Sequence, residues 1–438
     1  VQVTIPSLEL GRVLATIQQT ADIVVSGFGD FSLEESSELP KHGPGAVSEG
    51  PKHTNKYAFL HWPRKLQALF PVDFYGSPRL GDPLESAGES VMTVHEPPSR
   101  LIAVPKTQKG PRLIAAEPIS HQWIQQLIKN QLEGRLSRSA IRNSISFRDQ
   151  SLSGQAALRG SVDGSLATID LSAASDRLSC WLVERMFRAN RPLLLRLHAA
   201  RTRWLTYKDE HERKHYLRLN KFAPMGSAVT FPVQSIIYAL IAVGCHLARN
   251  NQKVTRRSIE RASLQVRVFG DDIIVPRDTY EYTVEYLTLM GLKVNYDKTF
   301  GKGNFRESCG VDAWMGNDVT PPYLLAPRPV SDMTTLGSAV AVRNNFYRKG
   351  YWHVAYWLDD QSARWERFLP DIPALSYTAG RASFLGANDS KCRTRYNEHL
   401  QREEVQVLIP YRKKNTGAMA AVHRLFQWFI EKPLPEIR

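Results

Sequence analysis

In the sequence VFGDDIIVP, residues 268–276, two apolar runs flank Gly-Asp-Asp. A Gly-Asp pair between apolar runs is a strong turn signal, so the stretch predicts a β-hairpin that turns at Gly270, Asp271 and Asp272. Two adjacent carboxylates at such a turn repel each other and lose hydration unless cations neutralise them. Oxygen ligands of this kind suit Mg²⁺ or Mn²⁺. Taken alone, the stretch is equally compatible with a solvated hairpin turn.

A second acidic position lies upstream, in ATIDLSAASDRLS (167–179), where Asp170 ends an apolar β-like run beside small residues. An acid at a strand end can approach a metal without steric obstruction. Three acids on two strand ends could hold two ions roughly 3.5–4 Å apart, which activates an attacking 3′-hydroxyl and stabilises leaving pyrophosphate. A lone strand-end Asp is more often a helix N-cap, and that is the alternative for Asp176.

The segment PMGSAVTFPVQS (224–235) combines small residues with a helical spacing. Gly226, Thr230 and Gln234 share one face if the segment becomes helical near Thr230. The small residues Gly226 and Ser227 would let the backbone approach a nucleotide or a template closely. Packing of a loop onto a helix is the alternative.

Two basic segments add candidates for phosphate chemistry. Lys106, Lys109 and Arg112 line a loop rich in Pro and Gly (VPKTQKGPR, 104–112) and could hold a triphosphate or shield leaving pyrophosphate. Lys298 follows a predicted strand and could protonate the leaving pyrophosphate as a general acid. Solvated, inert lysines are the alternative in both places.

The composition favours a nucleic-acid partner, because 57 Lys and Arg against 43 Asp and Glu give a formal charge of +14. The 4 cysteines are scattered without a CxxC pair, which argues against a zinc site and a disulfide scaffold and suits a reducing cytosol. The N-terminus VQVTIPSLEL has no signal-peptide pattern, and it lacks Met, so we expect a processed or truncated start. The apolar stretch 231–248 predicts a buried core helix rather than a membrane span.

Helical and strand-like patterns interleave without regular βαβ alternation, which predicts an α+β fold. The pattern predicts an irregular loop at 30–56, a strand and basic turn at 97–112, strands at 166–175 and 292–295, and helices at 119–136, 180–205, from about 234, and at 279–291. More short strands are expected to about residue 325, followed by mixed helical patches.

The ordered set DLSAASD, MGSAVTFPVQS, FGDD, and DKTF with FRESCG resembles the palm motifs of viral RNA-dependent RNA polymerases. More narrowly, it resembles the replicase beta subunit of levivirus-type single-stranded RNA bacteriophages. HGPGAVSEG (42–50) and VPKTQKGPRLIAAEP (104–118) are similar to N-terminal and finger-loop signatures of the same group.

The resemblance implies a right-hand fold and primer-independent copying of phage RNA with two Mg²⁺ ions, for which Mn²⁺ is a substitute. It divides the chain into an N-terminal region and fingers (1–165), a first palm part (166–180), a fingers insertion (181–223), a second palm part (224–325) and a thumb or C-terminal region (326–438). Asp170 and Asp271 become the main metal ligands, Asp272 assists, and Leu171 is a further candidate ligand. Asp176 and Gln234 become candidate readers of the ribose 2′-OH.

The resemblance also implies partners: a single-stranded RNA template, rNTPs, the host translation elongation factors Tu and Ts, and other host RNA-binding proteins. No membrane is expected, and the place of action is the cytoplasm of the infected bacterial host. Two alternatives stay open. A reverse transcriptase shares the palm and commonly has an aromatic residue where Phe269 stands, and a non-enzymatic basic RNA-binding protein would explain the charge.

Overall fold

The computed structural model describes residues 8–31, 40–43, 45–50, 56–57, 59, 61–76, 92–93, 95–107, 110–323, 333–363, 369–374, 380–385 and 394–405. They fall into two compact units, one that includes everything described up to Val319 and one within Thr320–Asn415.

The first unit mixes helices and short strands. Its helices are α1 (Leu8–Ser26), α2 (Arg64–Gln67), α3 (Val72–Tyr75), α4 (Ile119–Leu136), α5 (Ser151–Asp163), α6 (Ala174–Arg177), α7 (Cys180–Phe187), α8 (Arg191–Ala200), α9 (Thr230–Arg249), α10 (Arg256–Ser263) and α11 (Arg277–Leu289). Its strands are β1 (Trp62–Pro63), β2 (Met92–Thr93), β3 (Ser99–Thr107), β4 (Gly110–Ala116), β5 (Leu166–Ile169), β6 (Leu171–Ser172), β7 (Trp204–Lys208), β8 (Lys214–Arg218), β9 (Arg267–Phe269), β10 (Asp272–Pro276), β11 (Lys293–Val294), β12 (Phe305–Ser308), β13 (Val311–Trp314) and β14 (Asn317–Asp318).

Helix α9 forms the centre of the core. It is apolar around its circumference and is therefore buried on nearly every side, packing against α1 and α11. The contact with α1 is close at Gly244, where an added Cβ would lie 2.7 Å from the Ile17 Cα. By length and composition α9 could cross a membrane, but 89% of its apolar window is buried inside the fold. The prediction of a buried core helix is confirmed, with a start at Thr230 rather than near Gln234.

A three-stranded antiparallel sheet, in the order β5-β10-β9, packs against α9 on the β9 and β10 side and contacts α5 as well. Residues Ile273–Val275 of β10 and all of β5 are buried, as expected for strands covered on both faces. The predicted hairpin at 268–276 is confirmed, because β9 and β10 pair directly across Gly270 and Asp271.

A second sheet has the order β4-β3-β7-β8. It corrects two expectations. The segment 104–112 is not an open loop, because β3 continues to Thr107 and β4 starts at Gly110. The helical interpretation of 180–205 fails after Ala200, because Arg201 adopts an extended backbone and the β-favouring run Trp204–Lys208 pairs with β3 and β8.

The second unit contains α12 (Met333–Arg348), α13 (Trp352–Gln361), and the strands β15 (Asp371–Pro373), β16 (Arg381–Ser383), β17 (Thr394–Asn397) and β18 (Arg402–Val405). Buried Arg343 ties α12 to α13 through Asp359 at 3.0 Å and to the Ala382 carbonyl at 2.6 Å. The helices expected in this part of the chain are present, and two pairs of short strands occur in addition to them.

The α+β prediction is confirmed. The helix at 119–136 has the predicted bounds, and the helix expected at 279–291 runs over Arg277–Leu289. The short strands expected toward residue 325 are β12, β13 and β14. The division into fingers, palm and thumb stays a prediction.

Candidate active site

Asp170 lies at the junction between β5 and β6, where the predicted β-like run ends. Its Oδ2 accepts a hydrogen bond of 2.7 Å from Asn295 Nδ2, and its backbone N–H donates to Thr299 Oγ1 at 3.1 Å. Burial raises the pKa of the Asp170 carboxyl, and the nearby Asp271 raises it further, against the opposing hydrogen bond from Asn295. The carboxylate is therefore held in a fixed place and its charge is only partly compensated.

The hairpin turn is shaped by Gly270, whose φ of +64° lies in the left-handed region at the first central position of a two-residue turn. An added Cβ there would lie 2.8 Å from the Phe231 ring, so α9 also excludes a larger residue. The Gly270 N–H donates to Ser235 Oγ at 3.1 Å. The turn is therefore fixed on α9, and Asp271 projects from it exposed to solvent.

Asp272 is the first residue of β10 and is more enclosed than its neighbour. Burial raises its pKa to about 6, and the charges of Asp271 and Asp170 add to that rise. The Cys309 thiol reaches one carboxylate oxygen at 3.5 Å, and Ser308 Oγ reaches the other at 3.4 Å. Asp272 thus points toward the segment that connects β12 to β13.

Register explains how the upstream acid meets the hairpin. Ile273 of β10 pairs with Ile169 of the antiparallel strand β5. Asp272, which precedes Ile273, and Asp170, which follows Ile169, therefore lie at the same end of the sheet. The charge of Asp271 contributes to the raised pKa of both Asp170 and Asp272, which agrees with this proximity. Within the described ranges, no group of three or more His, Cys, Asp and Glu residues is already disposed around a metal position. The donor set itself, carboxylate oxygens with excess negative charge, is of the kind that hard divalent cations prefer.

The predicted ligand Leu171 could contribute only its main-chain oxygen, because its side chain is buried and apolar. It lies in β6, paired with Val294 of β11. The same strand pairing brings Asn295 to Asp170, and the Asn295 N–H donates to the Asp170 carbonyl at 2.9 Å. The sequence patterns did not point to Asn295, although it lies only two residues before the DKTF motif.

Lys298 lies in a short 3₁₀ turn (Tyr296–Lys298), about half exposed, with Nζ 2.6 Å from Glu307 Oε1. The hydrogen bond and charge of Glu307 raise the Lys298 pKa, and the charge of Asp170 contributes to the same effect. Lys298 is therefore a protonated amine near the acid cluster, with Glu307 as a partner that the sequence did not reveal.

The segment that leads into α9 is fastened to the neighbouring β4 and α4. The Ala115 N–H donates to the Met225 carbonyl at 2.7 Å, and the Ala228 N–H donates to Gln125 Oε1 at 3.2 Å. Gly226 has a φ of +124°, and an added Cβ would lie 2.0 Å from the Ala115 carbonyl oxygen. The close backbone approach expected at Gly226 is thus made to β4.

Three further predicted residues of this region lie near the turn or the α9 start. Thr230 Oγ1 donates to the Pro224 carbonyl at 2.9 Å and so caps the segment. Ser227 Oγ and Gln234 Oε1 are buried without a hydrogen-bond partner among the residues that the structure describes. Gln234 lies beside the turn, since its Nε2 would be 3.4 Å from a Cβ at Gly270. Buried polar atoms left without partners are costly, which makes them candidates to receive a ligand.

The remaining predicted residues lie away from these contacts or outside the description. Asp176 in α6 forms an ion pair with Lys221. Arg112 is exposed on β4, opposite Val104. Lys106 belongs to β3 but its side chain is outside the described part, as is the whole of Lys109. The structure therefore brings together Asp170, Asp271 and Asp272, with Lys298 and Gln234 nearby.

A hairpin with two adjacent aspartates at its turn, beside a strand that ends in a third aspartate, is the palm arrangement of template-dependent nucleic-acid polymerases. That class is narrowed by comparison with known proteins. The chain belongs to the family "RNA replicase, beta-chain", whose model matches residues 82–377. The resemblance to replicases of single-stranded RNA phages is confirmed.

Individual relatives agree with the family. The RNA-directed RNA polymerase subunit beta of Qbeta virus (strain MX1) is 33% identical over 294 residues, covering 64% of this chain and 44% of the relative. The RNA-directed RNA polymerase beta chain of Escherichia phage MS2 is 34% identical over 234 residues, or 52% and 38% of the two chains. The chain thus spans less than half the length of these curated relatives. A solved structure described as an RdRp complex aligns with a TM-score of 0.47 and 12% identity over 76% of this chain and 31% of its own, a likeness too low to carry an argument.

Proposed function

We propose that the chain is an RNA-directed RNA polymerase that replicates a single-stranded RNA phage genome, starting without a primer, by nucleotidyl transfer from rNTPs. The observation that carries this proposal is the convergence of Asp170 with Asp271 and Asp272 at one end of an antiparallel sheet. Burial, and after it the neighbouring carboxylates, raise the pKa values of Asp170 and Asp272, which is typical of acids grouped at a functional site. Membership of the replicase family supports the same conclusion.

Divalent cations suit this excess charge, with Mg²⁺ expected and Mn²⁺ as a substitute. Asp170 and Asp271 would hold two ions as main ligands, with Asp272 and the Leu171 carbonyl as further donors. Bound there, such ions supply Lewis-acid activation of a 3′-hydroxyl and charge stabilisation of pyrophosphate. Asn295 orients Asp170, and Cys309 with Ser308 orients Asp272, so both carboxylates have hydrogen-bond partners that would hold them in place before any ion arrives.

The surrounding residues supply the remaining roles. Lys298 is protonated and can donate a proton to the leaving pyrophosphate. Ser227 and Gln234 carry buried polar atoms free to hydrogen-bond a ribose hydroxyl, while Thr230 and Gly226 fix the segment that carries them. Asp176 is a further candidate for binding the ribose 2′-OH.

Phosphate binding would fall to Arg112, whose exposed guanidinium suits a triphosphate, together with Lys106 and Lys109. The substrates are then a single-stranded RNA template and rNTPs, in the cytoplasm of the infected bacterial host. The elongation factors Tu and Ts, and other host RNA-binding proteins, are proposed as partners on the family resemblance alone.

The test is incorporation of labelled rNTPs by the purified chain, with and without host cell extract, comparing Asp271→Asn with Glu281→Gln. Both substitutions remove one exposed carboxylate, but Glu281 lies on α11 away from the turn. Loss of residues that merely support metal ligands costs roughly 10–100-fold, so loss of a ligand should cost about a hundredfold or more. Full activity in Asp271→Asn would overturn the assignment. Incorporation of dNTPs at the rate of rNTPs would instead favour a reverse transcriptase, and RNA binding without any polymerisation would favour the non-enzymatic alternative.

A further inference from the structure

The β7–β8 hairpin forms the outer edge of the four-stranded sheet and displays two chemically different faces. Cross-strand partners lie on the same face, and the register pairs Trp204 with Arg218, Thr206 with Tyr216 and Lys208 with Lys214. One face therefore presents two aromatic rings and three cations. We call it the hairpin face, defined by Trp204, Thr206, Lys208, Lys214, Tyr216 and Arg218.

Apart from Thr206, which is buried, the residues of the hairpin face are exposed to solvent. Trp204 is 39% exposed and Tyr216 is 59% exposed, and the three cations are exposed as well. Exposed apolar surface that is grouped on one face, with polar residues around it, can mark an interaction site. The edge position of β8 in the described sheet leaves this surface accessible along its length.

Charge is sorted between the two sides of the hairpin. On the opposite face, the Asp209 carboxylate binds both Arg213 at 3.0 Å and His215 at 2.9 Å, so positive charge there is compensated. On the hairpin face, Lys208 pairs with Glu212, but neither Lys214 nor Arg218 has an ion pair with any residue that the structure describes. Instead, Lys214 Nζ lies 5.1 Å above the centre of the Tyr216 ring.

The spacing repeats a cation, an aromatic ring and a cation along β8. Residues two apart on a strand lie about 7 Å apart on one face, so Lys214 and Arg218 flank Tyr216 at that distance on either side. Proteins that hold single-stranded nucleic acid combine cations that follow the phosphates with aromatic rings on which bases stack. A protein partner would gain less from this surface, because uncompensated cations are expensive to bury against a neutral interface.

We propose that the hairpin face binds single-stranded RNA outside the active site, with Tyr216 and Trp204 stacking on bases and Lys214 and Arg218 contacting phosphates. The same sheet continues through β3 to β4, where exposed Arg112 lies. The inference deepens the proposed polymerase function and rests on it for the identity of the RNA as a template. Binding itself is independent of catalysis and is measured separately.

The test is the affinity of the full chain for a fluorescent single-stranded RNA of about twenty nucleotides, measured by polarisation over a range of salt concentrations. Loss of one stacked base costs about 1–3 kcal/mol, so Tyr216→Ala should weaken binding by about tenfold, and Tyr216→Phe should retain most of the affinity. The double variant Lys214→Ala/Arg218→Ala should reduce the slope of log K against log salt by about 1.4, since each phosphate contact in a single strand contributes about 0.7.

The matched controls lie on the opposite face of the same hairpin. Tyr207→Ala removes an aromatic ring that is 39% exposed, as Trp204 is, and Arg213→Ala removes one positive charge directly before β8. Both should bind RNA like the unmodified chain. Equal losses on the two faces, or no loss in Tyr216→Ala, would overturn the proposal, as would unchanged RNA affinity combined with a lost protein partner.

One variant separates this proposal from the proposed function. Asp271→Asn should bind the RNA normally while failing to incorporate rNTPs. If the unmodified chain binds RNA through the hairpin face but never incorporates nucleotides, the polymerase assignment fails and the RNA-binding surface stands. If incorporation is normal and the hairpin variants bind and incorporate normally, only the surface proposal fails.

Discussion

Substitution of Gly226 by Ala tests whether the segment before α9 is held by backbone packing against β4. The added Cβ would lie 2.0 Å from the Ala115 carbonyl oxygen and 3.0 Å from its carbonyl carbon. No side-chain rotation relieves this overlap, because both partners are main-chain atoms. The segment must therefore move by about 1 Å or more, to reach an ordinary contact distance of roughly 3.5 Å.

Two terms set the size of the effect. The φ of +124° at Gly226 is a backbone conformation open essentially to glycine, and holding another residue there costs about 1–3 kcal/mol. Moving the segment also breaks the 2.7 Å hydrogen bond from the Ala115 N–H to the Met225 carbonyl, which costs about 1–3 kcal/mol if the groups stay buried. We expect the free energy of unfolding to fall by about 4 kcal/mol.

Gly291→Ala is the matched control. Gly291 also has a positive φ, +85°, but an added Cβ there meets no atom within 4 Å. It should lose only about 1 kcal/mol, the cost of the left-handed conformation. The assay is chemical denaturation followed by intrinsic fluorescence and circular dichroism, because coincident transitions are needed before the midpoints are compared.

Activity provides the second measurement for the same variant. Since the segment carries Ser227 and leads to Gln234, its displacement should also lower rNTP incorporation at temperatures where the variant is still folded. A Gly226→Ala chain that is no less stable than Gly291→Ala would refute the packing argument. A destabilised chain with undiminished activity would refute the link from this segment to the active site.

Three other substitutions probe charge and burial around the acid cluster. Burial raises the Asp272 pKa from 3.8 to about 6. In metal-free protein, the contribution of this group to the free energy of unfolding is therefore at most about 3 kcal/mol, is complete below pH 3.8 and is lost as the pH rises through about 6. Chemical denaturation of Asp272→Asn across the same pH range should not show this loss of stability. Lys298→Met should slow single-turnover incorporation by about a hundredfold, the lower end of the range expected for loss of a general acid, without changing RNA affinity. An unchanged rate would show that Lys298 takes no part in the chemical step. Arg306 is fully buried and donates hydrogen bonds to the Leu166 carbonyl at 2.5 Å and to the Gly303 carbonyl at 2.9 Å. Arg306→Met should therefore lower the free energy of unfolding by about 3 kcal/mol. A denaturation midpoint equal within error to that of the unmodified chain would show that these hydrogen bonds contribute nothing to stability.

The parts of the fold that the sequence predicted are those governed by neighbours in the chain. The Gly-Asp turn at 270–271 requires only a positive φ at one residue and apolar strands on either side, both visible locally. Helix α4 follows Pro118, which favours a helix start, and its apolar residues recur at helical spacing. Such signals do not depend on what packs against them.

The errors come from contacts between distant segments. The β7 strand was missed because its residues follow a helical, basic stretch, and pairing with β3 on one side and β8 on the other fixes their conformation. The close contact between Gly226 and Ala115, more than a hundred residues away in the chain, was not expected, and the predicted approach of Gly226 to a nucleotide stays a prediction. Asn295 and Cys309 reach the acid cluster through strand register, which no local pattern encodes.

The three aspartates therefore differ in ways that their shared motif conceals. Asp272 is enclosed and held by Cys309 and Ser308, while Asp170 is held by Asn295. Asp271 projects from a turn that is itself fastened to Ser235 and is exposed to solvent. Two oriented acids and one accessible acid form a surface that can bind a cation from solvent without rearranging the sheet. The two half-buried acids fix the position of the negative charge, and the exposed Asp271 is the carboxylate that a cation from solvent would meet first.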